Sequence, residues 1–293
     1  MRVAERPEDL DAARRAVAIG TFDGVHRGHR RVIEAARAAG LRTTVVTFSP
    51  HPRTILGNRV ELITTVERRL ELIGELGVDD VLVIEFTLDL ARLEPEQFAE
   101  SVLRRIGAEV VVAGPNFRYG RGASGDLDLL GRLGFDVRPV PLAENISSST
   151  IRQLLRAGEV VQAAQLLGRP AEVEGTVVLG DQRGGTLGFP TANVAVEPDL
   201  LVPAYGIYAG AAAGRRAAIS IGTNPHYGGE ERRIEAFLLD FEGDLYGRRL
   251  TVELWERLRD EQAFENEAEL VAAIAKDVAR TRAAQPPVQA PPE

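Results

Sequence analysis

The chain has 293 residues, 44% of them apolar, a formal net charge of −8 and no cysteine. That length and apolar share suit two ordinary cores; the absent thiols exclude disulfides, thiolate metal sites and cysteine nucleophiles, and the acidic balance argues against a nucleic-acid surface, whose footprint is basic. Nearly every basic residue is arginine, Lys276 being the one lysine, so a Walker A loop is excluded and phosphates must be held by guanidinium groups, backbone N–H groups, helix N-termini, imidazoles, hydroxyls or a divalent cation.

In chain order, residues 1–10 are too charged for a signal peptide. No apolar run reaches the ~20 residues of a spanning helix, so a cytoplasmic protein with small-molecule substrates and no membrane or nucleic-acid partner is expected. Apolar runs at 17–20, 43–48, 81–86, 110–113 and 137–140 predict strands. Between them, helical spacing predicts helices at 30–39, 64–76, 96–106 and 127–133. Thr64 with Glu67 resembles a capping box, Pro95 suits a first helical turn, and Gly40 and Gly77 suit helix ends. Strand and helix in alternation predict a parallel sheet with helices on both faces.

After a helical stretch at 150–167 the pattern changes to short β-rich runs at 173–179, 207–213, 217–221, 234–240 and 249–254, separated by Gly, Pro and Asn. That is an antiparallel, barrel-like signature. Asn266 with Glu269 opens a final amphipathic helix. Residues 284–293 are rich in Pro and Ala and have no means of forming a core.

Two segments carry phosphate chemistry. Gly20-Thr21-Phe22-Asp23-Gly24-Val25-His26-Arg27-Gly28-His29 reads as the turn after an early parallel strand, where α/β sheets bind ligands. Its glycines let the backbone approach a ligand, and two imidazoles can donate to a phosphate and offset charge building on it. A metal site of His26, His29 and His51 competes with this reading, although no carboxylate has ligand spacing; incidental surface histidines are the third reading. Arg183 to Asn193 reads as a Gly-rich loop entering a polar strand. Gly184, Gly185 and Gly188 there would wrap phosphates, and Thr191 and Asn193 would offer neutral oxygens to Mg²⁺; the alternative is a tight hairpin loop punctuated by Pro190.

Gly120 to Gly125 matches G-x-G-x-x-G, but it lies several residues beyond its strand and no acidic residue follows at the dinucleotide-binding distance. A loop is expected, with Asn116, Arg118 and Gly120 able to line a nucleotide edge. Ser147 to Arg152 reads as a capped helix start, which beside a triphosphate becomes an anion site.

Taken together, residues 17–282 resemble the bifunctional bacterial riboflavin kinase/FMN adenylyltransferase, or FAD synthetase, family. Residues 20–29 resemble its G-x-F-D-G-x-H-x-G-H, 48–52 its F-x-P-H-P, 114–120 its G-x-[DN]-F-x-[FY]-G and 146–152 its I-S-S-T-x-[IV]-R. In the second half, 184–193 resemble G-R-x-L-G-F-P-T-A-N, 219–225 [AV]-x-N-I-G-x-x-P, and 234–247 V-E-x-x-[LI]-L-D-F-x-G-D-L-Y-G. Gly185 stands where arginine is usual, Ser149 replaces a threonine, and Ser220 replaces an asparagine.

The resemblance implies an α/β plus β protein. A Rossmann-like nucleotidyltransferase domain with a parallel sheet spans 1–168, and a six-stranded antiparallel riboflavin kinase barrel with a terminal helix spans 169–283; 284–293 would be a disordered tail. It implies that riboflavin and ATP give FMN, and that FMN and ATP then give FAD and pyrophosphate. His26, His29 and Arg152 would serve adenylyl transfer, and Glu235 would be the kinase base. Nucleotide would be held by Gly20, Thr21, Phe22, Asp23, Gly24, Gly28, Asn116, Ser148 and Ser149 in one module and by Gly184, Gly188 and Pro190 in the other. Phe48, Pro50, His51 and Pro52 would hold flavin, and Thr191 and Asn193 Mg²⁺. A single-activity FAD synthetase with a weakened kinase module, and a noncatalytic flavin-binding module, are the alternatives. Oligomeric state is not legible.

Overall fold

The computed structural model describes residues 1–141, 146–180, 189–223 and 232–287. Six strands come from the first half: β1 (Arg2–Ala4), β2 (Arg15–Ile19), β3 (Arg42–Ser49), β4 (Asp80–Glu85), β5 (Ala108–Ala113) and β6 (Asp136–Pro139). They form one sheet in the order β1-β4-β3-β2-β5-β6, every pair parallel. The chain builds outward from β2 through β3 to β4, then returns to add β5 and β6 on the other side of β2. Strand order therefore reverses between β2 and β5, and a crevice opens beyond their carboxyl ends.

Alternation along the strands explains the two cores. Val17, Ile19, Val46, Phe48, Leu82, Ile84, Val111 and Ala113 fill one face, while Ala16, Ala18, Val45, Val81, Val110 and Val112 fill the other. On the second face pack α1 (Arg27–Arg37), through Val32, Ile33 and Ala36, and, after the short α2 (Pro52–Ile55), α3 (Val66–Gly74), through Leu72 and Ile73. Each such buried Val, Leu or Ile side chain contributes about 1.5–3 kcal/mol. Beyond α4 (Leu88–Arg92), the first face is covered by α5 (Pro95–Phe98) and α6 (Leu127–Arg132).

Some local expectations shift. The three-residue β1 was not expected, since only Ala4 of it is buried and so it shows no apolar run. The helix expected at 96–106 is α5 followed by a π-helical segment, Ala99–Arg104, in which Arg105 N donates to Glu100 O at 3.2 Å. Its buried residues Phe98, Ala99, Val102, Leu103 and Ile106 are spaced by four, which the wider turn keeps on one face. The helix expected from Thr64 opens two residues later, and the Thr65 hydroxyl bonds the Glu174 carboxylate.

The second half holds α7 (Ser148–Arg156), α8 (Val160–Leu167), and strands β7 (Ala171–Val178), β8 (Ala192–Ala195), β9 (Gly206–Ala212), β10 (Arg215–Thr223), β11 (Arg232–Leu238) and β12 (Arg249–Arg259), then α9 (Glu267–Ala283). The strands close an antiparallel barrel in the order β10-β11-β8-β7-β12-β9, with Ile219, Ile221, Ile234, Ala236, Val252 and Leu254 buried. The helical stretch expected at 150–167 is two helices, parted at Gly158 (φ +78°), where an added Cβ would lie 2.9 Å from Arg257 Cδ. Asn266 caps α9 by accepting from Glu269 N at 3.0 Å.

By packing, the chain divides into two compact units, Met1–Val60 with Val66–Ile146, and Glu61–Thr65 with Ser147–Glu293. Helix α8 lies on β7 and β12, which draws 147–168 into the second unit rather than the first. Glu61–Thr65 joins that unit through Leu62, whose N–H donates to Asp199 O and whose carbonyl accepts from Leu201 N, both at 2.7 Å. At the far end Ala284 is buried with Ala209, Trp255 and Leu258, so the expected tail begins with a packed residue; 288–293 lie outside the described residues.

Two candidate active sites

The crevice of the parallel sheet contains a cavity of about 600 Å³. Gly20, Thr21, Phe22, His29, Phe48, Pro52 and Asn116, all expected from sequence, line it; Pro50 and His51 are not among its lining residues. Phe86, Phe98, Phe117 and Tyr119 complete an aromatic wall that spacing alone did not single out. Phe48 meets Phe86 edge-on at 5.8 Å and Phe117 stacks on Tyr119 at 5.7 Å between centroids, while Phe98 packs tilted against Phe48 and Tyr119. Burial pushes the Tyr119 hydroxyl up to about 12, with Glu96 and Asp126 adding to the effect, so it stays a neutral donor.

The turn that carries the histidines is strained. Phe22 (φ +50°), Gly24 (φ +81°) and Val25 (φ +36°) are left-handed, which for a β-branched residue is an outlier costing on the order of 1–3 kcal/mol. Phe22 and Val25 are buried, and the strain aims the first turn of α1 at the cavity. His26 caps that helix, its Nδ1 accepting from His29 N at 3.2 Å, and the two rings stack with centroids 3.6 Å apart. Burial, then His26 and Arg69, hold the His29 imidazole well below its ordinary range. His29 is therefore neutral at pH 7, and its Nδ1 has no hydrogen-bond partner among the described residues. Asp23, Gly24 and Gly28 are buried around this turn.

The metal reading loses support. His51 Nδ1 accepts from Arg53 N at 3.2 Å as the cap of α2, and among the described residues no cluster of three His, Asp or Glu could hold an ion. The G-x-G-x-x-G segment is a loop. Tyr119 and Gly125 exchange backbone hydrogen bonds at 3.1 and 2.9 Å, and a Cβ on Gly120 would strike Pro95 at 2.8 Å.

Ser148, Ser149 and Arg152 belong to α7 in the second unit. Ser147 is the cap, accepting from Thr150 N at 3.1 Å. Arg152 is 8% exposed, and its Nε donates to Glu61 O at 2.7 Å.

A second cavity, about 360 Å³, sits at the barrel beside α9. Thr191 and Glu235 line it, and Thr191 Oγ1 donates to Glu235 Oε2 at 3.5 Å. Asn193 stands opposite Glu235 in the β8–β11 register, so the antiparallel pairing brings together the three residues expected to act together. Asn193 Oδ1 is buried with no partner among the described residues, an orphaned neutral oxygen two residues along the chain from Thr191, and Asn193 itself is not among the residues lining the cavity. Arg233 Nη1 lies 3.5 Å from Glu235 Oε1. Phe189, Phe237 and Phe264 form the apolar wall; Pro190 adjoins Phe189, and Gly184 and Gly188 lie outside the described residues.

The sequence reading missed Arg259, Glu261 and Asp277 in this cavity. Arg259 donates to Asp277 Oδ2 through Nε at 3.0 Å and Nη2 at 2.8 Å, fastening α9 to β12, and burial pushes the Glu261 carboxyl up against the pull of Arg259. An acidic residue inside the apolar stripe of α9 was the available signal for Asp277.

Comparison with known proteins finds two family models in tandem along the chain. The FAD synthetase family model matches residues 9–151 and the riboflavin kinase model residues 167–285. Curated bifunctional riboflavin kinase/FMN adenylyltransferases from Listeria monocytogenes and Bacillus subtilis are each 36% identical over 288 residues, covering 92% and 91% of this chain and the same shares of their own. The crystal structure of a macrolide-efflux protein from Streptococcus pneumoniae superposes with a TM-score of 0.86 at 30% identity, covering 96% of this chain and 98% of its own. No described helix is long and apolar enough to cross a membrane. With both family models in tandem and curated relatives matched nearly end to end, the chain belongs to the bifunctional riboflavin kinase/FMN adenylyltransferase family.

Proposed function

We propose that this chain phosphorylates riboflavin to FMN with ATP and adenylylates FMN to FAD with a second ATP, releasing pyrophosphate. One observation carries the reading: of the ten phenylalanines, five line the sheet cavity and three line the barrel cavity, eight in all. Aromatic walls in both cavities suit a planar ring, which the reading requires when the product of one site is the substrate of the other.

In the barrel, Glu235 takes the proton from the ribityl hydroxyl as it attacks the γ-phosphorus of ATP, and ADP leaves. Thr191 Oγ1 and Asn193 Oδ1 are the oxygens that would hold Mg²⁺, which when bound offsets phosphate charge. At the sheet, FMN phosphate attacks the α-phosphorus of ATP in line. Neutral His29 donates to the developing charge beside His26, and the Gly20–Gly24 backbone cradles phosphate. The Ser148 and Ser149 hydroxyls and the Arg152 guanidinium are assigned to triphosphate by their chemistry alone, and Asn116 to a nucleotide edge. Phe48 and Pro52 contact the flavin ring, with Pro50 and His51 shaping the turn between them.

The adenylyltransferase is assigned to 1–168 and the kinase to 169–283, acting on small molecules in the cytoplasm without nucleic acid. Chromatography of purified protein with Mg²⁺ and ATP, started separately from riboflavin and from FMN, is expected to give FMN in the first case and FAD in both. Absence of both products refutes the proposal; FAD from FMN without FMN from riboflavin leaves a single-activity enzyme.

A further inference from the structure

Arg69 lies on the buried stripe of α3 with Leu72 and Ile73, is 1% exposed, and touches no reacting group in the mechanism above. A guanidinium is a costly choice at an i, i+3, i+4 core position, where an apolar side chain would pack without loss of hydration. What it does there is specific. Nη1 donates to Thr21 O and to Phe48 O, each at 3.1 Å, and lies 3.5 Å from Thr47 Oγ1. Thr47 Oγ1 itself donates to Thr21 O at 3.0 Å. Thr21 and Phe48 both line the cavity, one after β2 and the other near the end of β3. The two donors converge on the carbonyl that opens the strained Phe22–Val25 turn.

Strain of that kind persists only where the surroundings over-determine it. Asp23, buried in the turn, and Glu67 favour the charged guanidinium against its burial. We propose that Arg69 is a positioning residue of the adenylyl-transfer site, clamping the ends of β2 and β3 so that the histidine-bearing turn holds its in-line geometry. The role rests on the FMN-adenylylating function proposed above.

The test uses the full chain as wild type, Arg69→Met, Arg69→Lys and Thr47→Val, measuring steady-state FAD formation from FMN and the FMN dissociation constant by flavin fluorescence. Arg69→Met is expected to lower kcat about 100-fold, the scale of an ångström misplacement, while FMN binding stays within about threefold. Arg69→Lys keeps the charge and a donor and recovers to within about tenfold of wild type. Thr47→Val removes one bond to Thr21 O and costs about tenfold in kcat.

An Arg69→Met enzyme turning over within about threefold of wild type, or losing only FMN affinity, overturns the proposal. Should Arg69→Met fail to fold, an unchanged kcat in Thr47→Val overturns it instead. A wild-type protein that makes no FAD from FMN sinks the function and the proposal together, and is told apart by needing no variant.

Discussion

Gly180→Ala is a minimal change aimed at one atom. A Cβ built on Gly180 would lie 2.1 Å from Asn193 Nδ2, 2.3 Å from Cγ and 2.5 Å from Oδ1. Non-bonded carbon contacts settle at about 3.5–4.0 Å, so the amide must retreat by more than about 1 Å. Gly180 lies outside the left-handed region, so alanine fits its backbone, and the obstacle is the end of a side chain rather than main chain. The barrel should therefore stay folded, with stability changed by less than about 1 kcal/mol. The Asn193 amide, however, is pushed from its place opposite Glu235. An ångström of displacement in a phosphoryl-transfer site is worth about 100-fold, and FMN formation from riboflavin should fall by that factor. FAD formation from added FMN should be unchanged. The assay is the two-start chromatographic one, with thermal melting in parallel. A folded Gly180→Ala protein that makes FMN within about threefold of wild type would refute the assignment of Asn193 to the metal and its nucleotide.

Other expectations are as specific. His29→Ala should abolish FAD formation while sparing FMN formation, and Glu235→Ala should do the reverse; equal loss of both activities in either variant counts against two separate sites. Because the folded pKa of His29 lies well below its ordinary 6.5, the unfolded chain binds the proton first. Stability from its neutral form is complete above that value and is lost as pH falls below it. Urea titrations at pH 7.5 and 5 should thus differ less in His29→Asn than in wild type, and an equal pH effect in both would remove His29 as the cause. Asp80 is fully buried and accepts from Arg42 Nε at 2.6 Å and Nη2 at 2.9 Å, with fully buried Arg15 Nη2 3.4 Å away. Asp80→Asn should cost about 3–5 kcal/mol of unfolding free energy, the scale of a broken buried pair; a loss under about 1 kcal/mol would show that Asp11 compensates.

Much of the fold could be read from period alone. The five strands of the parallel sheet between 15 and 140 and five of the barrel strands lie on the apolar runs, most of them ending in Gly or Pro, because burial on a pleated surface writes itself as a run or an alternation. What period could not show was pairing. Asn193 and Glu235 are 42 residues apart, and only the β8–β11 register puts them side by side. The aromatic wall was illegible for the same reason, since Phe48, Phe86, Phe98 and Phe117 come from four different segments that meet only where strand order reverses. Arg69 did leave a trace, a charged residue on a core stripe, but a mid-helix arginine is ordinarily solvated, and its acceptors are carbonyls, which carry no side-chain signature.

The two cavities also differ in a way that follows from proton inventory. The residues lining the sheet cavity include no Asp or Glu, whereas the barrel cavity has Glu235, Glu261 and Asp277. A phosphate monoester has its second pKa near 6, so the FMN phosphate is already an anion at neutral pH and needs no base to attack. A carboxylate on the cavity wall would repel it and the triphosphate it must meet, and Asp23 of the adjoining turn is fully buried and not among the lining residues. A ribityl hydroxyl is different, because its proton must leave as the new O–P bond forms, and a positioned base contributes roughly 10²–10⁴-fold. Neutral His29 on the first cavity and ionisable Glu235 on the second therefore match the nucleophiles, and exchanging the two wall chemistries would disable both steps even if each cavity kept its shape.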